Sequence, residues 1–235
     1  MHPLTTLHAT ARELRRRHAA GGLREVLAFV AGGVRAQFLK RQTLIVDLKR
    51  LDEIAVPARV GALRVEPLER RHLLALRELN RERGDLRGDA RFAADLDAGY
   101  RGFAGFRDER LVACYWWCDA SMPPHRDLRR LGLGIELGPR DVYGFDLYVD
   151  KRHRAGGTAN EMLFRVETAL RAQGFERLWG WVVEGNRGAR WTYSSRGYRP
   201  MWMVERTRVL RRWRSTVVAL DAAQHVEVER KRVAA

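Results

Sequence analysis

The sequence predicts a mixed α/β domain that follows a helical extension. An apolar strand that ends at Val149 runs into a short basic, glycine-rich turn, and a helix with apolar periodicity begins directly after it. A second strand, 178–183, is then followed by Asn186 at the expected start of another helix. The 235 residues, 46% of them hydrophobic, are enough for one domain with a sizeable core and an extension.

The extension, residues 1–60, is basic and is expected to be helical. Helices are predicted over 4–18 and over 23–40, where apolar residues recur at three- and four-residue spacing. A short strand is expected at 43–48. Two interpretations of the helices stay open. They pack on the domain or on a second copy of the chain in a homodimer, or one of them lies on an anionic membrane surface as a basic amphipathic helix.

The domain proper is predicted over residues 61–220, followed by a polar tail, 221–235. Its segments alternate between strand and helix patterns, with a hairpin over residues 108–110. The turn-rich stretch 119–141 is either an insertion or a lid over a substrate site. The expected strands are 62–67, 100–107, 111–118, 142–149, 178–183 and further strands within 200–220, and the expected helices are 68–80, 90–99 and 158–173.

The glycine-rich turn predicts a site for an anion. Backbone N–H groups of the turn and the N-terminus of the following helix converge on one point, where a pyrophosphate can bind. Two motifs flank the intervening helix and strand at matching distances. The first reads Arg/Gln-x-x-Gly-x-Gly/Ala and the second Asn-x-x-Ala-x-x-x-Tyr-x-x-x-Gly-aromatic; they are filled by Arg154, Gly157 and Ala159, and by Asn186, Ala189, Tyr193, Gly197 and Tyr198.

With these motifs, residues 61–210 resemble the acyl-CoA-binding core of the GNAT superfamily of N-acetyltransferases. The resemblance implies a mixed, mostly antiparallel central sheet that is splayed between its middle strands and flanked by helices. It also implies acetyl-CoA as the acyl donor, held by a strand end, the pyrophosphate turn and an Asn beside the pantetheine arm. The implied donor-binding residues are Leu147, Tyr148, Val149, Arg154, Ala155, Gly156, Gly157, Thr158, Ala159, Asn186 and Ala189.

Particular roles follow from the same resemblance. The backbone N–H of Val149 would polarise the thioester carbonyl, and Tyr193 would donate a proton to the leaving thiolate, since a phenol of pKa ~10 can protonate a thiolate of pKa ~8 to 9. Tyr193 could instead be a packing aromatic, and Asn186 could be a helix N-cap as well. Asp146 is the first candidate for the base or amine anchor and Glu184 the second; either could instead be a salt-bridge partner.

Other residues give weaker signals. His153 in the turn is interpreted as packing rather than catalytic, and His125 in the 119–141 stretch could reach an acceptor. The seven tryptophans are interpreted as core or as walls of an acceptor cleft. Cys114 and Cys118 lie about 13 Å apart on a strand, too far for a disulfide, and are interpreted as buried filler. No metal site is expected.

The net charge of +15 comes almost entirely from arginine. It reflects either codon usage in a GC-rich genome or a polyanionic partner such as nucleic acid or an anionic membrane. We expect no specific nucleic-acid partner. Two cysteines, no apolar run of ~18 to 20 residues and no signal-peptide pattern favour the cytoplasm.

The functional expectation is acetyl transfer from acetyl-CoA to a primary amine of a small molecule. The acceptor would be an amino sugar or an amino-acid-like amine that attacks the thioester directly. Two alternatives stay open. One is transfer of a longer acyl chain near a membrane, and the other is a non-enzymatic module that binds CoA or a polyanion.

Overall fold

The structure is a computed structural model, and it describes residues 39–57, 61–83, 88–209 and 212–220. The helix predicted at 4–18, nearly all of that at 23–40 and the tail from 221 lie outside these residues. The chain divides into two compact units, Met1–Gln42 with Arg206–Ser215 and Thr43–Glu205 with Thr216–Ala235. Only strand segments of the first unit are described, and every predicted site residue belongs to the second unit.

The strands form one eight-stranded sheet in the order β2-β3-β4-β5-β6-β1-β7-β8. The directions of the paired strands agree with the mostly antiparallel mixed sheet that was predicted. β5 and β6 pair in parallel, whereas β2–β3, β3–β4, β4–β5 and β1–β6 pair antiparallel. The strands are β1 Leu39–Arg50, β2 Arg64–Pro67, β3 Arg101–Arg107, β4 Arg110–Asp119, β5 Asp141–Val149, β6 Arg177–Val183, β7 Arg199–Val209 and β8 Arg212–Ala219.

Five α-helices and two 3₁₀ turns are described. The helices predicted over 68–80, 90–99 and 158–173 are present, with ends that differ by a few residues, whereas Leu39 and Lys40, predicted as the end of the helix over 23–40, belong to β1. The 119–141 stretch contains one further short helix. The helices are α1 Leu73–Arg83, α2 Gly88–Asp97, α3 Arg126–Arg130, α4 Thr158–Ala172 and α5 Arg187–Ser195, and the 3₁₀ turns are Arg70–His72 and Lys151–Gly156. Within the described residues, no helix is long and apolar enough to cross a membrane.

The two middle strands separate partway along their length. β5 pairs with β6 only as far as Tyr143 opposite Trp179. On its other side β5 carries a bulge, since Phe145 lies opposite Trp116 and Tyr148 opposite Cys114. Bulges of this kind bend a strand and often adjoin functional sites. The predicted splay of the sheet is therefore present, and it begins just before the bulge.

Strand β1 is longer than the strand predicted at 43–48, and it pairs with β6 from Leu44 opposite Val183 to Arg50 opposite Arg177. Leu44 and Val46 are buried on one face of the sheet and Ile45 on the other. A short apolar run that is buried on both faces is typical of a central strand. These residues, which the sequence placed in the extension, therefore belong to the sheet.

Both faces of the sheet carry hydrophobic cores. α1, α2 and the 119–141 stretch contribute to one core, and α4 and α5 to the other. Leu131, Leu133 and Ile135 are buried, and the indole of Trp202 donates to the Leu133 carbonyl at 2.7 Å. The long stretch is thus packed over one face of the sheet, and its role as an insertion or a lid stays a prediction. Cys114 and Cys118 are buried free thiols, as predicted.

Candidate active site

A cavity of about 690 Å³ lies between the end of β5, the start of α4 and the start of α5. This volume is within the usual range for small-molecule sites. Eight of the eleven predicted donor-binding residues line it. The lining residues are Leu147, Tyr148, Val149, Lys151, Arg154, Gly157, Ala159, Asn160, Asn186, Gly188, Ala189, Trp191 and Thr192.

Asp150 anchors the turn that leads into this cavity. Its carboxylate is fully buried, accepts a hydrogen bond from the Arg152 backbone N–H at 3.0 Å and lies 3.2 Å from His153 Nδ1. Its own N–H donates to the Val112 carbonyl on β4 at 2.8 Å. The turn is therefore held to the sheet from both sides. His153 has a structural partner, which agrees with its interpretation as a packing residue.

Gly157 precedes α4 in the left-handed conformation, with φ of 74°. A Cβ built there would have no heavy atom within 4 Å. The first intrahelical bond runs from the Glu161 N–H to the Gly157 carbonyl at 3.0 Å. The N–H groups of residues 158–160 consequently have no acceptor within the helix, and they carry the positive end of its dipole. This arrangement fits a phosphate group.

The other members of the predicted turn lie beside the cavity. Arg154 donates through Nε to the Val149 carbonyl at 3.0 Å, and its guanidinium carbon is 5.3 Å from the centre of the Tyr148 ring. This bond ties the exposed Arg154 to the end of β5 and leaves its Nη groups for an anion. Gly156 is exposed in the 3₁₀ turn, to which Ala155 also belongs, and Thr158 is fully buried as the first residue of α4.

Asn186 is the N-cap of α5. Its side-chain oxygen accepts from the Ala189 N–H at 3.2 Å, and both residues line the cavity. α5 is joined to α4 by a buried ion pair between Arg196 and Glu167, and Arg196 also donates to the Ala55 carbonyl at 2.6 Å. Burial raises the pKa of Glu167, and the hydrogen bond from Arg196 opposes that shift. The pair holds the α5 wall of the cavity in place.

Tyr193 projects from α5 into the core. Its ring stacks on that of Tyr198 at 4.3 Å, and its hydroxyl would be 2.7 Å from a Cβ built on Gly180. Gly180 is the residue after the last pair between β5 and β6, so the hydroxyl lies against β6 where the strands part. Burial raises the pKa of Tyr193, and the nearby carboxylate of Asp47 raises it further. The phenol therefore keeps its proton at neutral pH.

The two carboxylate candidates lie elsewhere. Asp146, at φ of 53° in the bulge of β5, forms an ion pair with Arg91 of α2. Glu184 follows β6, where its N–H donates to the Thr43 carbonyl at 3.0 Å. The described residues that line the cavity do not include Tyr193, Asp146 or Glu184. Their catalytic roles stay predictions; Asp146 directly precedes a lining residue, and Tyr193 directly follows one.

His125 packs onto the face of β5 that carries α2. Its ring stacks on Phe145 at 3.9 Å and meets Tyr100 edge-on at 5.3 Å. Its Nδ1 accepts from the Asp127 N–H at 3.3 Å. Burial lowers the pKa of His125 to about 3, and Arg126 contributes to the shift. The imidazole is therefore neutral at physiological pH and acts as an aromatic packing group.

Five cavity residues were missed by the sequence analysis: Lys151, Asn160, Gly188, Trp191 and Thr192. Lys151 and Asn160 flank the turn motif, and the other three fall between the Asn and Tyr of the second motif. Helical spacing from the motif residues would have identified part of this wall. Trp191 was grouped with the other tryptophans as core or acceptor wall, although it faces this cavity.

Much of the basic charge in the described part of the chain is paired locally. Arg177 contacts Asp141 at 2.5 Å, Arg50 contacts Asp52 at 2.7 Å, and neither pair adjoins the cavity. Among the described residues, no group of three or more His, Cys, Asp or Glu side chains could hold a metal ion.

The profile of the acetyltransferase (GNAT) family matches residues 68–198, which is more than half of the chain. The chain belongs to the acetyltransferase (GNAT) family. Family membership supports acyltransferase activity with an acyl-CoA donor, in agreement with the anion-binding turn and the capped α5 around one cavity. No curated protein sequence matches this GNAT chain.

Solved structures share the fold at low sequence identity. A Drosophila protein superposes with a TM-score of 0.50 and 12% identity over 81% of this chain and 58% of its own. A fungal region described as a glucosamine N-acetyltransferase is part of a multi-domain β-N-acetylglucosaminidase. It superposes with a TM-score of 0.55 and 12% identity over 77% of this chain and 22% of its own. A Staphylococcus epidermidis protein of unknown function superposes with a TM-score of 0.51 and 8% identity over 76% of this chain and 66% of its own. This GNAT chain therefore spans less than two thirds of each of them.

Proposed function

We propose that this GNAT protein transfers an acetyl group from acetyl-CoA to a primary amine of a small molecule. The observation that carries the proposal is the cavity of about 690 Å³ whose walls include a left-handed glycine before α4 and the capped start of α5. A pyrophosphate fits the first feature and a pantetheine arm the second. The edge of β5 at residues 147–149, which lines the cavity, would offer backbone hydrogen bonds along the arm.

The reaction that suits this arrangement is direct attack. The neutral amine nitrogen bonds to the thioester carbonyl carbon, the carbonyl oxygen takes negative charge, and the C–S bond then breaks. The N–H of Val149 would stabilise the oxyanion, as oxyanion-hole donors do. Tyr193 would give its proton to the departing sulfur, and the surplus proton on nitrogen would leave through Asp146, Glu184 or water.

The proposed acceptors are amino sugars and amino-acid-like amines. The fungal structure described as a glucosamine N-acetyltransferase supports testing amino sugars, although 12% identity extends the likeness only to the fold. A cytoplasmic location is part of the proposal and is supported by the low cysteine content of the sequence. Homodimer formation and a membrane contact through residues 1–60 stay predictions.

Thiol release from acetyl-CoA tests the proposal when it is followed with panels of amino sugars, amino acids and simple diamines. The expected result is amine-dependent thiol release with a matching N-acetyl product by mass spectrometry, reduced at least tenfold in Tyr193→Phe. Octanoyl-CoA runs in parallel. Turnover with octanoyl-CoA but not with acetyl-CoA would show that the donor carries a longer acyl chain than acetyl. If no amine in the panels causes thiol release from either donor, acyl transfer to small amines is refuted.

A further inference from the structure

One wall of the donor cavity carries an exposed indole. Trp191 on α5 is 45% exposed, whereas Trp116, Trp117 and Trp179 are each at most 8% exposed. The remaining three tryptophans are partly buried. An exposed aromatic ring at the wall of a cavity is a candidate ligand contact, because binding cavities are lined mainly by apolar and aromatic side chains.

Trp191 lines the cavity together with residues of the turn and of the α4 N-terminus. It shares one face of α5 with Ser195, four residues later. The Ser195 hydroxyl donates to the side-chain oxygen of Asn160 at 3.0 Å, and Asn160 lies in the first turn of α4. This contact joins α5, one helical turn beyond Trp191, to the first turn of α4, and both Trp191 and Asn160 line the cavity. The pantetheine arm is assigned to the other side, along β5 and the start of α5.

Cationic side chains complete this end of the cavity. Lys151 and Arg154 line it with Trp191, and both are exposed. A flat aromatic ring beside cations matches one part of a CoA donor, the adenine with its 3′-phosphate. Aromatic rings bind bases by stacking, which tolerates any base because each has a π-face, while Lys and Arg bind phosphate.

We propose that Trp191 stacks on the adenine ring of the bound CoA and that this contact selects nucleotide-bearing donors. The inference rests on the proposed function, because it assumes a CoA donor with its pyrophosphate at the α4 N-terminus. It adds a binding residue for the nucleotide half of the donor. The acyl and pantetheine portions do not touch the indole.

The test uses the full chain and separates the two halves of the donor. Adenosine 3′,5′-bisphosphate serves as the nucleotide probe and S-acetylpantetheine as the arm probe. The bisphosphate is expected to quench wild-type tryptophan emission. The quench should disappear in Trp191→Phe and persist in the matched control Trp213→Phe. Trp191→Ala should weaken binding of the bisphosphate and of acetyl-CoA by about tenfold or more in calorimetry.

The same variant should leave the affinity for S-acetylpantetheine unchanged. Equal losses for S-acetylpantetheine and acetyl-CoA would overturn the proposal, as would quenching by S-acetylpantetheine but not by the bisphosphate. Thermal unfolding shows whether Trp191→Ala is folded. Trp191→Gln, which replaces the exposed indole by a polar side chain suited to the surface, provides the second variant. Failure of acetyl-CoA to bind the wild-type chain would refute the proposed function, whereas binding that Trp191→Ala leaves intact would refute the stacking alone.

Discussion

Gly180→Ala should disable Tyr193 without touching it chemically. The added Cβ would lie 2.7 Å from the Tyr193 hydroxyl oxygen and 3.1 Å from a ring carbon. Since ordinary contacts are about 3.5 to 4.0 Å, the phenol has to move by on the order of 1 Å. A shift of that size in a reacting group can lower turnover by about 100-fold. Strain in a packed core should also lower the unfolding free energy by about 1 to 3 kcal/mol.

Steady-state thiol release and denaturant unfolding measure these two effects separately. We expect kcat to fall in Gly180→Ala while the Kd for acetyl-CoA changes little, because the cavity wall does not include Gly180. The control is Gly185→Ala, where a Cβ would have no heavy atom within 4 Å. It should match the wild type in stability.

A double variant decides whether the loss acts through the hydroxyl. If Gly180 serves only to make room for that group, Gly180→Ala should lower kcat far less in a Tyr193→Phe background than in the wild type. Wild-type turnover in Gly180→Ala, or an undiminished loss in the Tyr193→Phe background, would refute the role of Tyr193 as the acid.

Three further outcomes follow from the structure. The folded-state pKa of His125, about 3, is below its ordinary 6.5, so its contribution to stability is complete above pH 6.5 and is lost as the pH falls towards 3. By pH 4.5 the free energy of unfolding should have fallen by on the order of 2 to 3 kcal/mol through this group. His125→Phe should lack this pH-dependent loss of stability. Parallel curves of unfolding free energy against pH for the wild type and the variant, from pH 7 to 4.5, would contradict the prediction. Arg196→Met removes the hydrogen-bonded cation of the buried Glu167 and leaves only the electrostatic attraction of Lys49. It should cost about 3 to 5 kcal/mol in denaturant unfolding, with partial recovery in Glu167→Gln/Arg196→Met. A cost below about 1 kcal/mol would show that the pair does not hold α5. Asp146→Asn should raise the KM for the amine more than that for acetyl-CoA if Asp146 anchors the acceptor, and equal effects on both would exclude that role.

The strand–turn–helix around the donor cavity could be predicted from sequence because its signals are local. The left-handed position before α4 favours glycine, and Asn186 accepts a hydrogen bond from a residue three positions later. Each of these features depends on a few neighbouring residues. The same is true of the hairpin between β3 and β4, whose turn residues Asp108 and Glu109 have positive φ. The strand–turn–helix and the hairpin therefore follow from short patterns, whereas the sheet architecture was expected from the family resemblance that those patterns carry.

Features that depend on distant contacts could not be predicted in this way. Asp146 pairs with Arg91, which is 55 residues away, and no spacing rule connects them. The 119–141 stretch lacks periodicity, yet its leucines are buried against a face of the sheet. The orientation of Tyr193 depends on the absence of a side chain at Gly180. The sequence identified these residues, but only packing determines which neighbours they contact.

Calorimetric titration of acetyl-CoA into Gly157→Asp and Gly157→Asn tests whether a pyrophosphate binds at the start of α4. Asn and Asp both tolerate the left-handed conformation, and a Cβ at this position meets no heavy atom within 4 Å, so both variants should fold. They differ in one negative charge at the proposed pyrophosphate site. At about 4 Å and an effective dielectric near 20, repulsion from one unit charge amounts to about 4 kcal/mol before screening by salt. Gly157→Asp should therefore bind acetyl-CoA at least tenfold more weakly than Gly157→Asn, and the difference in affinity should shrink as salt is added. Equal affinities in the two variants would contradict a pyrophosphate at the start of α4.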